Sequence, residues 1–283
     1  MSRVTVILAF YRNIQFLRFV LAGFARQSLR DFEVIIADDG SDRATVAQVH
    51  AIMAASPFDI RHVWHEDRGF RKNKILNRAI VAAQSDYLVF VDGDCVPHRE
   101  FVRNHLEHAQ PKVCLAGRRV DLSDRMTQKL SEQKILQGYL EKHLVQMLLD
   151  SMLLGTRNVE KGVYLSSPHL RKITNRKKRG LLGCNFSLHK ADILSINGFD
   201  ERYEAPGVGE DLDLEFRLER NNVVLRSLSN AAVQYHLYHR KQEIGAANIA
   251  LFRQVQKAGV FFTPFGIEQN RTAPGEGTSR QVL

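Results

Sequence analysis

Short apolar runs and longer amphipathic stretches alternate along the first 120 residues, which leaves few architectures open to the chain. Three of the runs are almost continuously apolar, as strands buried on both faces of a sheet are. The strand candidates are Val4–Phe10, Glu33–Ala37, Ile60–Trp64, Tyr87–Val91 and Val113–Ala116. The helix candidates between them are Ile14–Gln27, Thr45–Ala55, Lys72–Ala83 and Glu100–His108. The alternation predicts an α/β fold with a mostly parallel central sheet flanked by helices.

Acidic residues follow two of these strands, at the edge of the sheet where ligands of such folds bind. The second strand is followed by residues 38–42, Asp-Asp-Gly-Ser-Asp, and the fourth by Asp92-Gly93-Asp94. No glycine-rich phosphate-binding pattern accompanies either. Residues 38–42 fit a turn and a helix cap as well as they fit a site. Asp92 and Asp94 would crowd negative charge unless they share a cation, which predicts a hard divalent ion.

A second group of acids and a pair of histidines stand in the last third of the chain. Glu210, Asp211 and Asp213 follow two glycines and open a helical pattern, where the helix dipole favours negative charge. Three acids in four positions are more than a helix cap requires. His236 and His239 come at the end of a strand-like run, and a histidine pair beside an acidic metal site predicts ligands.

The segment between these regions is helical and basic. Residues 121–154 predict one or two amphipathic helices, whose apolar stripe we expect to pack against the sheet domain. Residues 171–179 then contain six cations and no acid. Such a run fits a solvated face or contact with anionic lipid or an anionic acceptor equally well.

Composition limits the partners and the compartment. Forty Lys and Arg against thirty-one Asp and Glu give a net charge of +9, which favours anionic partners. Three scattered cysteines without CxxC spacing argue against a disulfide framework and for a reducing compartment. No stretch approaches the roughly 20 apolar residues of a membrane-spanning helix. We therefore expect a cytoplasmic protein whose positive charge would allow peripheral contact at the inner face of the cell membrane.

The first strand with Tyr11, the turn at 38–42, Asp92-Gly93-Asp94 and Gly209-Glu210-Asp211 together resemble the family 2 glycosyltransferases of the GT-A fold. The segment from Asn197-Gly198-Phe199-Asp200 to Asp211 also resembles the C-terminal motif of galactosyltransferases and bacterial chondroitin-type polymerases. The resemblance implies an inverting transferase that uses a nucleotide-diphosphate sugar, with a UDP-sugar as the expected donor, and Mn²⁺ or Mg²⁺. A basic chain without membrane spans, by analogy with such enzymes, also suits bacterial surface polysaccharide synthesis (lipopolysaccharide core, O-antigen or capsule), with a glycan or glycolipid acceptor.

The resemblance further implies roles for individual residues. Those expected to contact the nucleotide sugar are Ala9, Tyr11, Asp39, Arg71, Lys74, Asn77, Asp92, Gly93 and Asp94, with Lys72 a further candidate for the diphosphate. Within this set, Ala9, Tyr11 and Asp39 would hold the base and Asp92 the ribose.

The remaining roles implied by the resemblance concern the metal ion and the two sugars. Asp94 and His236 would bind the metal, with His239 as second choice. Asp211 would be the catalytic base. Asn185 and Glu210 are assigned to the donor or acceptor sugar.

The expected organisation has four parts. These are a nucleotide-sugar-binding half (1–120), a helical basic insertion (121–180), an acceptor-binding and catalytic half (181–263) and a flexible tail (264–283). Three other classes remain open: a sugar-nucleotide pyrophosphorylase, an aspartyl phosphatase and a nucleic-acid-binding protein. The sequence has no glycine-rich basic loop after the first strand, as a pyrophosphorylase would, and no threonine after Asp94, as a phosphatase would. It also has no nucleic-acid-recognition motif, so no nucleic-acid partner is expected.

Overall fold

A computed structural model describes residues 3–153, 155–167, 169–171, 180–240 and 245–268, with only the backbone of Glu210. The ten strands in these ranges form a seven-stranded and a three-stranded sheet. The strands are β1 (Thr5–Phe10), β2 (Glu33–Asp38), β3 (Ile60–Trp64), β4 (Tyr87–Asp92), β5 (Cys95–Pro97), β6 (Val113–Ala116), β7 (Arg118–Asp121), β8 (Asn185–His189), β9 (Val224–Ser227) and β10 (Val233–His236).

The large sheet has the order β3-β2-β1-β4-β8-β6-β9. Its first four strands are parallel, with Val6 opposite Val34 and Val89, and β6 and β9 are also parallel. Only β8 runs antiparallel to its two neighbours, and it places Asn185 opposite Val91. The predicted mostly parallel α/β fold is therefore confirmed, and the proposed halves 1–120 and 181–263 contribute strands to one sheet.

Helices cover the sheet in the described ranges. They are α1 (Ile14–Ala25), α2 (Arg43–Ala54), α3 (Lys72–Ala82), α4 (Phe101–Glu107), α5 (Asp124–Gln128), α6 (Glu132–Leu136), α7 (Tyr139–Lys142), α8 (Leu144–Met152), α9 (Lys190–Leu194), α10 (Leu214–Arg220) and α11 (Ala246–Ala258). A 3₁₀ turn spans Val159–Gly162, and a π-helical turn, Gly209–Asp213, leads into α10.

Two hydrophobic cores lie on opposite faces of the large sheet. Successive side chains of a strand point to opposite faces, so Val6 and Leu8 join one core and Ile7 the other. The first core includes Leu17 of α1, and the second includes Ile75 of α3. The strands are thus held from both sides, which fixes the positions of the loops at their carboxyl ends.

The small sheet brings three separate parts of the sequence together. Its central strand, β10, pairs antiparallel with β5 and parallel with β7. In this register, His236 lies between Cys95 on one side and Asp121 on the other. Because β5 follows β4 after a two-residue turn, His236 comes next to the acids that end β4.

The prediction of one or two helices in 121–154 is wrong, since four short helices stand there. Ser123 and Ser131 each accept a hydrogen bond from a backbone N–H and so start new helices. Gly138 has a φ of +78°, in the left-handed region, and separates α6 from α7. Part of the predicted core stripe is also exposed, because Leu136 and Leu148 face the solvent.

The tail boundary at 264 is too early. The backbone N–H of Glu201 donates to the Phe265 carbonyl, and that of Ile267 donates to the Asn197 carbonyl. Residues 264–268 are therefore part of the folded domain, and 269–283 lie outside the described residues. In the described ranges, no helix has both the length and the apolar character needed to cross a membrane.

Candidate active site

The end of β4 is held tightly against β1. The Gly93 N–H donates to the Ala9 carbonyl at 2.7 Å, and a Cβ on Gly93 would lie 2.9 Å from that oxygen. Glycine is therefore required between the two acids. On one side of it, Asp92 forms an ion pair with Lys72 at the start of α3, with Nζ 2.8 Å from Oδ1.

On the other side of Gly93, Asp94 faces two imidazoles. Asp94 Oδ2 lies 3.4 Å from His236 Nε2 and 3.1 Å from His239 Nε2, and these two nitrogens are 3.2 Å apart. His236 Nδ1 is 3.6 Å from Asp121 Oδ1 at the end of β7. The Cys95 thiol donates to Asp94 Oδ1 at 3.2 Å. One carboxylate and two imidazoles thus converge at one point.

The Asp94 carboxylate and the nearby imidazoles affect one another electrostatically. Burial opposes the ionisation of Asp94, but hydrogen bonds and charge attraction from His236 and His239 hold its pKa well below the usual range. The hydrogen bond to Asp94 raises the pKa of His239 above its ordinary value, against the effect of burial. A negative carboxylate that favours the protonated form of the His239 imidazole would attract a metal cation in the same way.

The residues present fit a divalent metal ion. Ligand atoms of Asp94, Cys95 and His236 all lie within 4.8 Å of one another. A carboxylate oxygen and imidazole nitrogens are donors that Mn²⁺ accepts, and Mg²⁺ takes the oxygen. Of the two histidines, His236 is the more enclosed, with 13% of its side chain exposed against 42% for His239.

A second part of the site lies at the ends of β2 and β3. Asp39 Oδ1 is 2.7 Å from His65 Nε2, and Asp39 Oδ2 accepts from the Arg71 N–H at 2.9 Å. Tyr11, beyond β1, is 47% exposed, and its hydroxyl donates to Asp67. Beside these residues is a cavity of about 380 Å³ lined by Trp64, His65, Glu66, Arg68, Arg71, Lys74 and Arg78. Four cations in its wall favour an anionic occupant.

The other acids of the 38–42 turn are structural. Asp38 is buried, accepts from the Ser41 N–H and lies 3.0 Å from His62 Nε2. Asp42 caps α2 by accepting from the Thr45 N–H. Of the three acids in this turn, Asp39 is the one whose carboxylate contacts residues that line the cavity, His65 and Arg71.

Asp211 lies in the π-helical turn before α10. Its Oδ1 accepts a hydrogen bond from the Gly183 N–H at 2.6 Å. Cys184, the next residue, accepts a hydrogen bond from Arg119 Nη1 at 3.2 Å, and its thiol interacts with that of Cys95. Because Cys95 also donates to Asp94, Asp211 is connected to the metal-binding cluster through Gly183, Cys184 and Cys95.

Asp213 is not available as a base. It is fully buried and accepts from Arg217 Nε at 2.7 Å and from the Tyr203 hydroxyl at 3.1 Å. Arg217, itself buried, also donates to the carbonyls of Ile196 and Gly198. The pair anchors α10. The side chain of Glu210 lies outside the described residues, as do 172–179 of the basic run.

Asn77, assigned to the nucleotide sugar, and Asn185, assigned to the donor or acceptor sugar, form hydrogen bonds within the protein. Asn77 exchanges hydrogen bonds with the backbone of Phe199 in both directions. Asn185 has no exposed surface, donates to the Arg118 and Ala232 carbonyls and lies 3.1 Å from His105. These amides support the loops around the site, and the observed conformation does not place either of them at its surface.

Lys74 and Arg71, which the resemblance assigns to the nucleotide sugar, also have contacts within the protein. Lys74 Nζ lies 3.8 Å from Glu201, and its side chain lines the cavity. Arg71 reaches Asp39 through its backbone rather than its guanidinium, which donates to the Glu66 carbonyl. The residue that pairs with Asp92 is Lys72.

Sequence reasoning missed Asp121, His65 and Asp67. Asp121 ends β7, at the position where the sequence predicts the helical insertion to begin. His65 and Asp67 follow β3, at the same edge of the sheet as Asp39. A search for acids and histidines after every strand candidate would find His65 and Asp67. It would not find Asp121, because β7 is not among the strand candidates of the sequence.

Comparison with known proteins places this geometry in a family. Residues 5–181 match Glycosyl transferase family 2. The chain belongs to glycosyltransferase family 2. Residues 169–240 of this family 2 chain also match the N-terminal domain of galactosyltransferase. The resemblance predicted from the motifs is confirmed.

Curated relatives of this family 2 chain are longer than it is. It is 26% identical over 243 residues to chondroitin synthase of Escherichia coli, covering 82% of this chain and 34% of the relative. It is 26% identical over 233 residues to validoxylamine A glucosyltransferase of Streptomyces hygroscopicus subsp. jinggangensis, covering 78% and 52%. The chain therefore spans a third to about half of the length of these relatives.

Solved structures share its fold at low identity. TarS 1-349 of S. aureus in complex with UDP-GlcNAc superimposes with a TM-score of 0.58 at 15% identity, covering 92% of this chain and 66% of that one. The mannosyltransferase PcManGT from Pyrobaculum calidifontis in complex with GDP-Man and Mn²⁺ gives 0.56 at 17% identity, covering 89% and 60%. The predicted GT-A fold is confirmed.

Proposed function

We propose that this glycosyltransferase domain transfers a sugar from a UDP-sugar to a hydroxyl group of a glycan or glycolipid, with inversion at the anomeric carbon. One observation carries the proposal: the Asp94 carboxylate at the end of β4 lies within 3.4 Å of both His236 and His239. A carboxylate and imidazoles at the carboxyl end of a parallel strand suit a metal-assisted nucleotide-sugar site.

Asp94 and His236 would hold a Mn²⁺ or Mg²⁺ ion, with His239 as a further ligand. Such an ion, when bound, supplies a Lewis acid that neutralises negative charge on the diphosphate leaving group. Lys72 holds the Asp92 carboxylate in place through its ion pair, so that Asp92 can accept hydrogen bonds from the ribose. The cations of the neighbouring cavity add positive potential on the donor side.

The base of the nucleotide would bind between the loops after β1, β2 and β3. Tyr11 offers an exposed ring for stacking, and Ala9 lies beside it at the end of β1. Asp39 would accept a hydrogen bond from the base, in an orientation that His65 and the Arg71 N–H already fix.

Asp211 would act as the catalytic base. The acceptor oxygen forms a bond to the anomeric carbon while the bond from that carbon to the diphosphate oxygen breaks. The hydroxyl proton passes to the Asp211 carboxylate, and the nucleoside diphosphate leaves. A single displacement from the opposite face inverts the centre and needs only one carboxylate base. We keep Glu210 and Asn185 as candidates near the sugars, Asn185 acting through the loop it supports.

The acceptor proposal draws on the relatives. A chondroitin synthase is a polysaccharide-forming enzyme by its name, and TarS binds UDP-GlcNAc. We place this chain in the assembly of a bacterial surface glycan (lipopolysaccharide core, O-antigen or capsule) at the inner face of the cell membrane. Its net charge of +9 fits an acceptor or a surface that is anionic.

The test is a screen of UDP- and GDP-sugars by thermal shift, with and without Mn²⁺, followed by nucleotide release with candidate acceptors. A ligand that binds only the native state raises the unfolding temperature. UDP-sugars should stabilise the wild type only with Mn²⁺, and should not stabilise Asp94→Asn. Asp86→Asn changes an exposed carboxylate before β4 and serves as the matched control. Equal stabilisation of Asp94→Asn, or none by any nucleotide sugar, would contradict the proposal.

A further inference from the structure

His236 and His239 turn the same ring atom toward Asp94. The Nε2 atom of each lies within 3.4 Å of Asp94 Oδ2. In His239 the other nitrogen, Nδ1, donates to the Arg240 carbonyl at 2.9 Å, so the neutral ring carries its proton on Nδ1 and a lone pair on Nε2. An imidazole binds a metal ion through the nitrogen that carries no proton. The backbone therefore already presents His239 Nε2 as a ligand atom.

The Nδ1 atom of His236 faces a carboxylate instead of a carbonyl. It lies 3.6 Å from Asp121 Oδ1, which is an ion-pair distance and beyond the range of a direct hydrogen bond. In the parallel pairing of β10 with β7, His236 is the partner of Asp121, so both side chains lie on the same face of the small sheet. A carboxylate beside Nδ1 favours the tautomer whose N–H dipole points at it, which leaves the lone pair on Nε2.

The Asp121 carboxylate is held in place through both of its oxygens. Arg119 Nε donates to Oδ1 at 3.0 Å, and Asn158 Nδ2 donates to Oδ2 at 2.8 Å. The backbone is fixed as well, because the N–H and the carbonyl of Asp121 both pair with Arg157, at 3.0 and 2.8 Å. Asn158 has a φ of 57°, in the left-handed region that asparagine tolerates better than most residues. A carboxylate held by four contacts, with a donor on each oxygen, suits an orienting role.

We propose that Asp121 is a positioning residue that orients His236, so that Nε2 of the imidazole faces the metal ion held by Asp94. The inference rests on the metal site of the proposed function. Asp121 supplies for His236 what the Arg240 carbonyl supplies for His239, but with a side chain, which a substitution can remove. Loss of such an outer partner of a ligand lowers metal affinity by about 10–100-fold.

A Mn²⁺ titration without nucleotide, followed by the EPR signal of the free ion, measures this role apart from activity. Asp121→Ala should bind Mn²⁺ about tenfold more weakly than the wild type, or worse. Asp121→Asn should recover most of that loss, because its amide oxygen can still face Nδ1. Both variants lose the same charge, so the difference between them reports orientation. Asp124→Asn changes an exposed carboxylate at the start of α5 and should bind like the wild type.

A double-mutant cycle tests whether Asp121 acts through His236. If it does, Asp121→Ala should add no further loss of Mn²⁺ affinity to His236→Ala, whereas independent effects would multiply. Multiplied losses in the double variant would overturn the inference, because Asp121 would then act on the metal ion by another route. Wild-type Mn²⁺ affinity in a folded Asp121→Ala variant would overturn it as well.

A measurement on the wild type covers the case in which Asp121→Ala does not fold. Zn²⁺, a diamagnetic ion that imidazoles bind, replaces Mn²⁺ in nitrogen NMR spectra of the histidine rings. His236, assigned by the signal missing from His236→Ala, should bind through Nε2 and carry its proton on Nδ1. Binding through Nδ1 overturns the inference.

These outcomes also separate the inference from the proposed function. A wild type that binds no Mn²⁺ would remove the proposed metal site and this inference together. Mn²⁺ binding by the wild type that is unchanged in Asp121→Ala would remove this inference alone.

Discussion

The Asp211 carboxylate accepts a 2.6 Å hydrogen bond from the backbone N–H of Gly183. The two residues come from different parts of the chain, the π-helical turn before α10 and the loop before β8. The bond orients one carboxylate oxygen without using any side chain of the site. It also ties the candidate base to the loop whose next residue, Cys184, contacts the metal-binding cluster.

Asp211→Asn should lose sugar transfer by about 10²–10⁴-fold, because an amide can accept the Gly183 hydrogen bond but cannot take the acceptor proton. Metal binding, nucleotide-sugar binding and unfolding temperature should stay close to the wild type. Single-turnover kinetics measure the transfer rate. Thermal shift with UDP-sugar and Mn²⁺ measures the unfolding temperature and the binding of both ligands. Transfer near the wild-type rate would move the base to Glu210, since Asp213 is buried in its pair with Arg217.

His236→Ala should raise the Mn²⁺ concentration needed for half-maximal activity far more than His239→Ala. His236 is enclosed between Asp94 and Asp121, whereas 42% of the His239 side chain is exposed. Removing a ligand lowers the affinity for the metal ion directly. Removing a residue at the edge of the site lowers that affinity less. A Mn²⁺ titration of activity for both variants decides the order, and the reverse order would make His239 the principal ligand.

Lys72→Met should weaken UDP binding by about tenfold, because the Asp92 carboxylate loses a charge-assisted partner 2.8 Å away. Lys74→Met should have a smaller effect, since Lys74 lies 3.8 Å from Glu201 with its side chain more exposed. Isothermal titration with UDP and Mn²⁺ compares the two. A larger effect at Lys74 would restore the assignment made from the sequence.

Asp150→Asn should lower the free energy of unfolding at neutral pH by about 1–3 kcal/mol. Burial acts against ionisation, but hydrogen bonds from Thr156, Ser123 and Arg125 hold the pKa of Asp150 well below its ordinary value. A carboxyl with a lowered folded pKa contributes stability at neutral pH that is lost as the pH falls below about 4.

Denaturant unfolding between neutral and acidic pH measures this contribution. The wild type should lose more stability on acidification than Asp150→Asn does. Asp59→Asn replaces an exposed carboxylate before β3 and should follow the wild-type curve. Parallel curves for the wild type and Asp150→Asn would show that this carboxylate gains nothing from its partners.

The sequence by itself determined the sheet, because runs such as 87–91 are apolar on both faces and can only be buried between helices. It also determined that acids would stand where β2 and β4 end, since strand ends can be read from local pattern.

Only the tertiary structure decided which side chains meet there. His236 reaches Asp94 through the pairing of β10 with β5, and Lys72 rather than Lys74 reaches Asp92 through the rotation of α3. Contacts between residues far apart in the chain depend on register and helix rotation, which no local pattern records. The same holds for α8, whose apolar periodicity is that of a core helix. Its outward face was decided by Asp150, which turns inward to Arg125 and Thr156 and leaves the leucines on the surface.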